Sequence, residues 1–127
     1  MTSKQPIKAT CHCGNLTITV PGQPELINEC QCTICRSYGA AWGYYKISEA
    51  AWTIKDGGNF KEYARTSLGS NHIFRRCDHC GCVMCWWPSD TKDPGAECGI
   101  NMRMVDPKKL EFVERRISYE DLLNGKE

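Results

Sequence analysis

Residues 29–46, ECQCTICRSYGAAWGYYK, place three cysteines within six positions, followed at once by an arginine and four aromatic side chains. Cys30, Cys32 and Cys35 stand at CxCxxC spacing. In an extended strand, residues i and i+2 point to one face about 6.5–7 Å apart, and a modest bend brings two such sulfurs onto one ion at about 2.3 Å. Three thiolates are one short of a closed tetrahedral zinc site. Either a fourth ligand comes from elsewhere in the chain or the centre stays open for an exchangeable group, as catalytic zinc sites do.

Two further clusters bear on that choice: 11-CHCG-14 and 77-CDHCGC-82. The simplest partition joins CHC to CDHC, giving one four-thiolate site from Cys11, Cys13, Cys77 and Cys80. It would clamp the first strand to one more than sixty residues later, and metal binding would offset the entropy of closing so long a loop. Gly81 permits a positive φ that turns backbone N–H groups toward the sulfurs. Spacing alone also allows CxCxxC to pair with CDHC. Under the simplest partition Cys30, Cys32 and Cys35 keep a site of their own, and Cys82, Cys85 or Cys98 could close it. Cys82 is the favoured donor, being two residues from Cys80.

The bulk numbers narrow the setting. The chain has 127 residues, of which 41% are hydrophobic and 24% charged, and ten are cysteines. The first two values are ordinary for a globular domain, and one domain over residues 1–127 is expected. Ten cysteines mean a disulfide scaffold or metal ligation. The opening MTSKQPIKAT holds no apolar run of the kind a secretory signal needs, and CxC and CxxC pairs are too close to bridge internally without strain. The reading is therefore an intracellular, reducing, cytoplasmic protein with two zinc ions per chain. The formal charge of +1 comes from scattered Lys and Arg, and no apolar run reaches the ~18–20 residues of a membrane span, so neither nucleic acid nor membrane is an expected partner. Seven thiolates against two dications would take the formal charge to about −2. An anionic thiol bound at the three-cysteine centre would need cationic help, for which Arg36, Arg75, Arg76 and Arg103 are candidates.

Short alternating or β-branched runs punctuated by PGQP, KDGGN and PSD indicate a mainly β domain. Strands are expected over 16–20, 25–31, 41–47, 51–54, 60–65, 72–77, 83–87, 99–105 and 110–114. Two short helical segments are expected, one following Cys35 through Ser37–Gly39 and one over Ser118–Leu123 with Ser118 as its cap.

CHCG (Cys11–Gly14), CQCTICRSYG (Cys30–Gly39), HIFRRCDHCG (His72–Gly81) and GINMRMVD (Gly99–Asp106) come in one order across nearly the whole chain. This pattern resembles the glutathione-dependent formaldehyde-activating enzyme and centromere protein V family. The resemblance implies a β-tent zinc-binding fold, shared with methionine-R-sulfoxide reductases and zinc-binding exchange-factor chaperones. It also implies a structural zinc on Cys11, Cys13, Cys77 and Cys80, and a catalytic zinc on Cys30, Cys32 and Cys35. The activity implied is a carbon–sulfur lyase, similar to S-(hydroxymethyl)glutathione synthase, joining a small thiol such as glutathione to an aldehyde or releasing it from a conjugate. The substrate sulfur would be the fourth ligand of the open zinc.

Such chemistry needs a proton carrier. His72 is the first candidate, then His79, with Tyr38, Tyr44 and Tyr45 behind them, while Trp42, Tyr44, Trp86 and Trp87 could wall a pocket. Arg36, Arg75 and Arg103 are the candidate contacts to the thiol substrate. Cys82 stands where the family often has a small hydroxyl residue. Two rival readings remain at this level: a non-catalytic zinc module for interactions, and methionine-R-sulfoxide reduction, for which only Cys98 is placed as a metal-free nucleophile.

Overall fold

The computed structural model describes residues 5–65 and 72–119. It is mainly β, with strands β1 (Ile7–Thr10), β2 (Leu16–Val20), β3 (Leu26–Cys30), β4 (Trp42–Lys46), β5 (Ala51–Ile54), β6 (Phe60–Ala64), β7 (His72–Cys77), β8 (Val83–Pro88), β9 (Glu97–Asn101) and β10 (Glu114–Ser118). One short helix, α1 (Thr33–Ser37), joins β3 to β4. Among the described residues no helix is long and apolar enough to cross a membrane.

Strands β1, β2 and β5 form a three-stranded sheet, and the other seven form a second in the order β10-β3-β4-β9-β8-β7-β6. Strand β2, LTITV, alternates buried and half-buried positions, so Leu16, Ile18 and Val20 face inward. They meet Tyr45, Cys85, Trp87, Cys98 and Ile100 from one face of the large sheet, forming the main core. Strand β8, VMCWWP, is buried at every position because it has a core on both faces. The second core lies on the opposite face, where Trp42, Phe74, Val83 and Trp86 pack against Cys32, Cys35 and Ala40. A register shift between Arg75 and Arg76 inserts Met84 into β8 and sends Val83 and Met84 to different cores.

The differences from expectation have local causes. The helix starts at Thr33, inside the CxCxxC stretch, rather than after Cys35. Strand β9 stops at Asn101, whose buried carboxamide accepts from the backbone N–H of Ala41 (3.2 Å) and Arg103 (3.1 Å) and donates to the Val83 carbonyl (2.8 Å). A 3-10 turn over Met102–Met104 follows in place of the rest of the expected strand. Residues 107–110 form another such turn, started by Pro107 with the Asp106 side chain accepting from the Lys108 N–H. The last strand among the described residues is therefore Glu114–Ser118, parallel to β3, rather than 110–114. Ser118 ends that strand instead of capping a helix, and residues 120–123 of the expected helix lie outside the described residues. Strand β1, unread in the sequence, pairs antiparallel with β2 and carries the chain into Cys11.

Candidate metal centres and cleft

Cys11 and Cys13 follow β1, Cys77 ends β7, and Cys80 lies in the turn after it. Their four sulfurs all lie within 4.8 Å of one another, with Cys13 Sγ 3.6 Å from both Cys11 Sγ and Cys77 Sγ. A tetrahedral ion with bonds of about 2.3 Å to sulfur holds its ligands about 3.8 Å apart. Backbone N–H groups already point at the sulfurs: Leu16 donates to Cys11 Sγ (3.3 Å), and His79 and Cys80 donate to Cys77 Sγ (3.4 and 3.5 Å). Gly81 has φ +80°, the left-handed turn its position calls for, and donates its N–H to the Cys77 carbonyl at 3.0 Å. Burial opposes ionisation of Cys80, but backbone N–H groups of Cys13 and Cys82 and the thiols of Cys82 and Cys77 outweigh it and bring it down to about 5. The donor set fits a soft cation held as a closed site.

Cys30, at the end of β3, and Cys32 and Cys35, at the start and in the body of α1, form a second group with all three sulfurs within 4.8 Å. Among the described residues, no fourth Cys, His, Asp or Glu ligand atom joins them. The thiol of Cys35 is pushed above the ordinary range by Cys30 and by burial, against a hydrogen bond from Trp42 Nε1 at 3.3 Å. Three thiols this close resist ionising together unless a cation joins them, so this group also fits a metal ion.

The expected fourth donors are elsewhere. Cys82 lies against the four-cysteine group, with Cys80, Cys11 and the His12 backbone as neighbours. Cys85 and Cys98 are buried in the main core, on the other face of the large sheet from the triad.

The triad borders a cleft of about 210 Å³. Asn28, Cys30, Trp42 and Tyr44 line it from β3 and β4, with His72 and Trp86 from β7 and β8. The imidazole of His72 stacks on the Trp86 indole with ring centres 3.9 Å apart. That indole lies flat over Gly99, where a Cβ would overlap it. His72 is thus brought to the site, whereas His79 is in the knuckle turn of the other centre.

Of the candidate arginines, Arg76 is exposed on β7 with its charge near Tyr38, and the other three lie outside the cleft lining. Arg75 is on the opposite face of β7, paired with Glu62 Oε2 at 2.9 Å and stacked over Phe60 and Trp87 (4.5 and 5.0 Å). Arg36 is exposed on α1 and donates to the Gln31 carbonyl, and Arg103 pairs at 3.7 Å with Glu29, outside the cleft lining. Among the described residues that line the cleft, the cation is Arg65, buried just after β6, with Nη1 3.8 Å from Cys32 Sγ. Nothing local in the sequence marks it, because 33 residues separate it from Cys32. Asn28, whose Nδ2 donates to Tyr44 Oη at 2.7 Å, was equally unmarked.

The mainly β chain thus carries a four-thiol group and, beside an aromatic cleft, a three-thiol group, each of which could hold a metal ion. The family model described as glutathione-dependent formaldehyde-activating enzyme matches residues 6–115, and the chain belongs to this family. The fold is also similar to the crystal structure of a Rhodobacter sphaeroides protein, at 24% identity and a TM-score of 0.61, covering 87% of this chain and 99% of that one. No curated protein sequence matches the chain closely enough to count as a relative.

Proposed function

We propose that this protein is a cytoplasmic, zinc-dependent carbon–sulfur lyase that adds a small thiol such as glutathione to an aldehyde, or releases it. One zinc would sit on Cys11, Cys13, Cys77 and Cys80 as a structural clamp and a second on Cys30, Cys32 and Cys35. The observation that carries this reading is the contrast between the groups: four sulfurs close one, while three border a cleft and leave a ligand position to fill. The family's description, with glutathione and formaldehyde in it, agrees.

When bound, zinc supplies acidification of a coordinated thiol and polarisation of a carbonyl. The chain's own residues do the rest. Arg65 beside Cys32 counters the negative charge that three thiolates and an anionic substrate sulfur accumulate. Trp42 holds Cys35 through its indole N–H, and the Trp42, Tyr44 and Trp86 rings narrow the water-accessible volume around the reacting atoms. In the addition, sulfur forms a bond to the carbonyl carbon, the π pair moves to oxygen, and the thiol's proton ends on that oxygen. In this reading His72, which stacks on Trp86 at the cleft, carries that proton.

Exchange NMR of a formaldehyde–glutathione mixture tests the proposal. The zinc-loaded protein should exceed the spontaneous interconversion rate and its Cys32→Ser variant should not. No acceleration by the wild type would contradict the enzymatic reading.

A further inference from the structure

The lyase reading leaves open where the substrate oxygen sits. The geometry points to the Asn28–Tyr44 pair as its seat, with Tyr44 as a catalytic hydrogen-bond donor and Asn28 positioning it and accepting from the product hydroxyl. This inference rests on the proposed thiol–aldehyde reaction and extends it to two further residues.

Strand alternation puts Tyr44 on the same face of β4 as Trp42, whose indole touches Cys35, so phenol and triad share one cleft. Asn28 is the cross-strand partner of Trp42, and its Nδ2 donates to Tyr44 Oη at 2.7 Å. With its oxygen already accepting there, the phenol's own proton is directed away from Asn28. The other half of the carboxamide, Oδ1, is buried and has no hydrogen-bond partner among the described residues. One donor and one acceptor therefore remain unspent on adjoining side chains that line the cleft; Oδ1 is shielded from solvent here, so a small turn of the carboxamide presents it to a bound oxygen. Both would be satisfied by a single oxygen that gives and takes a hydrogen bond.

A carbonyl oxygen accepts from Tyr44 as the carbon–sulfur bond forms and its π pair becomes a developing alkoxide. The oxygen then takes up the proton lost by the thiol, and the resulting O–H donates to Asn28 Oδ1, while Tyr44 keeps its own proton. The reverse sequence breaks the carbon–sulfur bond and returns the pair to sulfur. The favoured adducts carry a hydroxyl on the carbon joined to sulfur. A plain thioether would leave the seat unsatisfied, and a site built to hydrogen-bond a hydroxyl discriminates against analogues lacking it.

Two readouts on the zinc-loaded protein separate this inference from the one beneath it. The binding readout compares 2-mercaptoethanol, whose gauche form folds its hydroxyl back toward sulfur and so toward the position of the adduct's hydroxyl, with its isostere 1-propanethiol by calorimetry. The wild type should prefer the hydroxyl-bearing thiol about 10-fold, and Tyr44→Phe should abolish that preference while keeping zinc content and propanethiol affinity. Asn28→Asp, whose carboxylate captures the phenol proton, should do the same. The kinetic readout is formaldehyde addition to glutathione, where Tyr44→Phe should lower kcat about 100-fold with KM for glutathione unchanged. Preference and kcat at wild-type levels in both variants would overturn the proposal. So would an equal loss of affinity for the two thiols, which would assign Tyr44 to packing alone. If the wild type accelerates nothing, the lyase reading fails, while the binding readout still decides for or against the oxygen seat.

Discussion

The sulfurs of Cys13 and Cys77 lie 3.6 Å apart although 64 residues separate them in the chain. Nothing covalent ties the first strand pair to the end of β7, and an ion held by these two with Cys11 and Cys80 would join the small sheet to the large one. Structural zinc contributes about 10–16 kcal/mol at neutral pH, as much as the whole stability of a typical domain, about 5–15 kcal/mol. Cys77→Ser should therefore yield a largely unfolded chain by circular dichroism. A Cys77→Ser protein that melts cooperatively near the wild-type temperature would remove the structural role.

Arg65 predicts a graded effect. Its Nη1 contacts Cys32 Sγ at 3.8 Å from a buried position, so Arg65→Met removes a cation from the triad while leaving every sulfur in place. Residues that support metal ligands in this way usually change metal affinity or activity by about 10–100-fold. Competition against a chromogenic chelator should show the weaker of two zinc affinities falling by that factor, with the tighter one unchanged.

Trp86 rests on Gly99, and His72 rests on Trp86. Gly99→Ala should push the indole off the sheet, costing about 1–3 kcal/mol as other overpacked sites do. The melting temperature should drop by at least about 4 °C. Thiol binding should weaken too, because the displaced stack narrows the cleft. A variant with an unchanged melt would show that β9 yields to the methyl group.

The core thiol of Cys98 carries a pH dependence. Burial, aided by Glu97 and Glu49, raises it from 9.0 to about 12, so the folded state favours the neutral form. The sign follows: this contribution is complete below pH 9 and is lost as pH rises from 9 toward about 12. Thermal melts between pH 8 and 11 should fall less steeply for Cys98→Ala than for the wild type. Parallel slopes would mean that Cys98 does not set the alkaline limit.

Much of this was legible from spacing. The CxC and CxxC pairs name both sulfur groups, and the alternation in 16–20 and 72–77 reproduces β2 and β7 residue for residue. What was not legible is set by distant partners. Residues 110–114 have the apolar character of a strand, but Pro107 and Asp106 start a 3-10 turn there, and β10 begins only where β3 offers a parallel edge. Arg65 follows an exposed strand and is buried where the fold brings it to Cys32. Arg75 looked available beside Arg76, but strand parity turns it to the other face and onto Phe60, Trp87 and Glu62. Cys82 follows the CxxC so closely that it stays with Cys80 rather than crossing to the triad.

Native mass spectrometry of the zinc-loaded protein, with and without a large excess of glutathione, tests the central claim most directly. The account predicts two zinc ions per chain and a glutathione adduct that disappears, together with one zinc, in Cys32→Ser. Two zinc ions with no adduct by any small thiol would contradict an open, thiol-accepting triad.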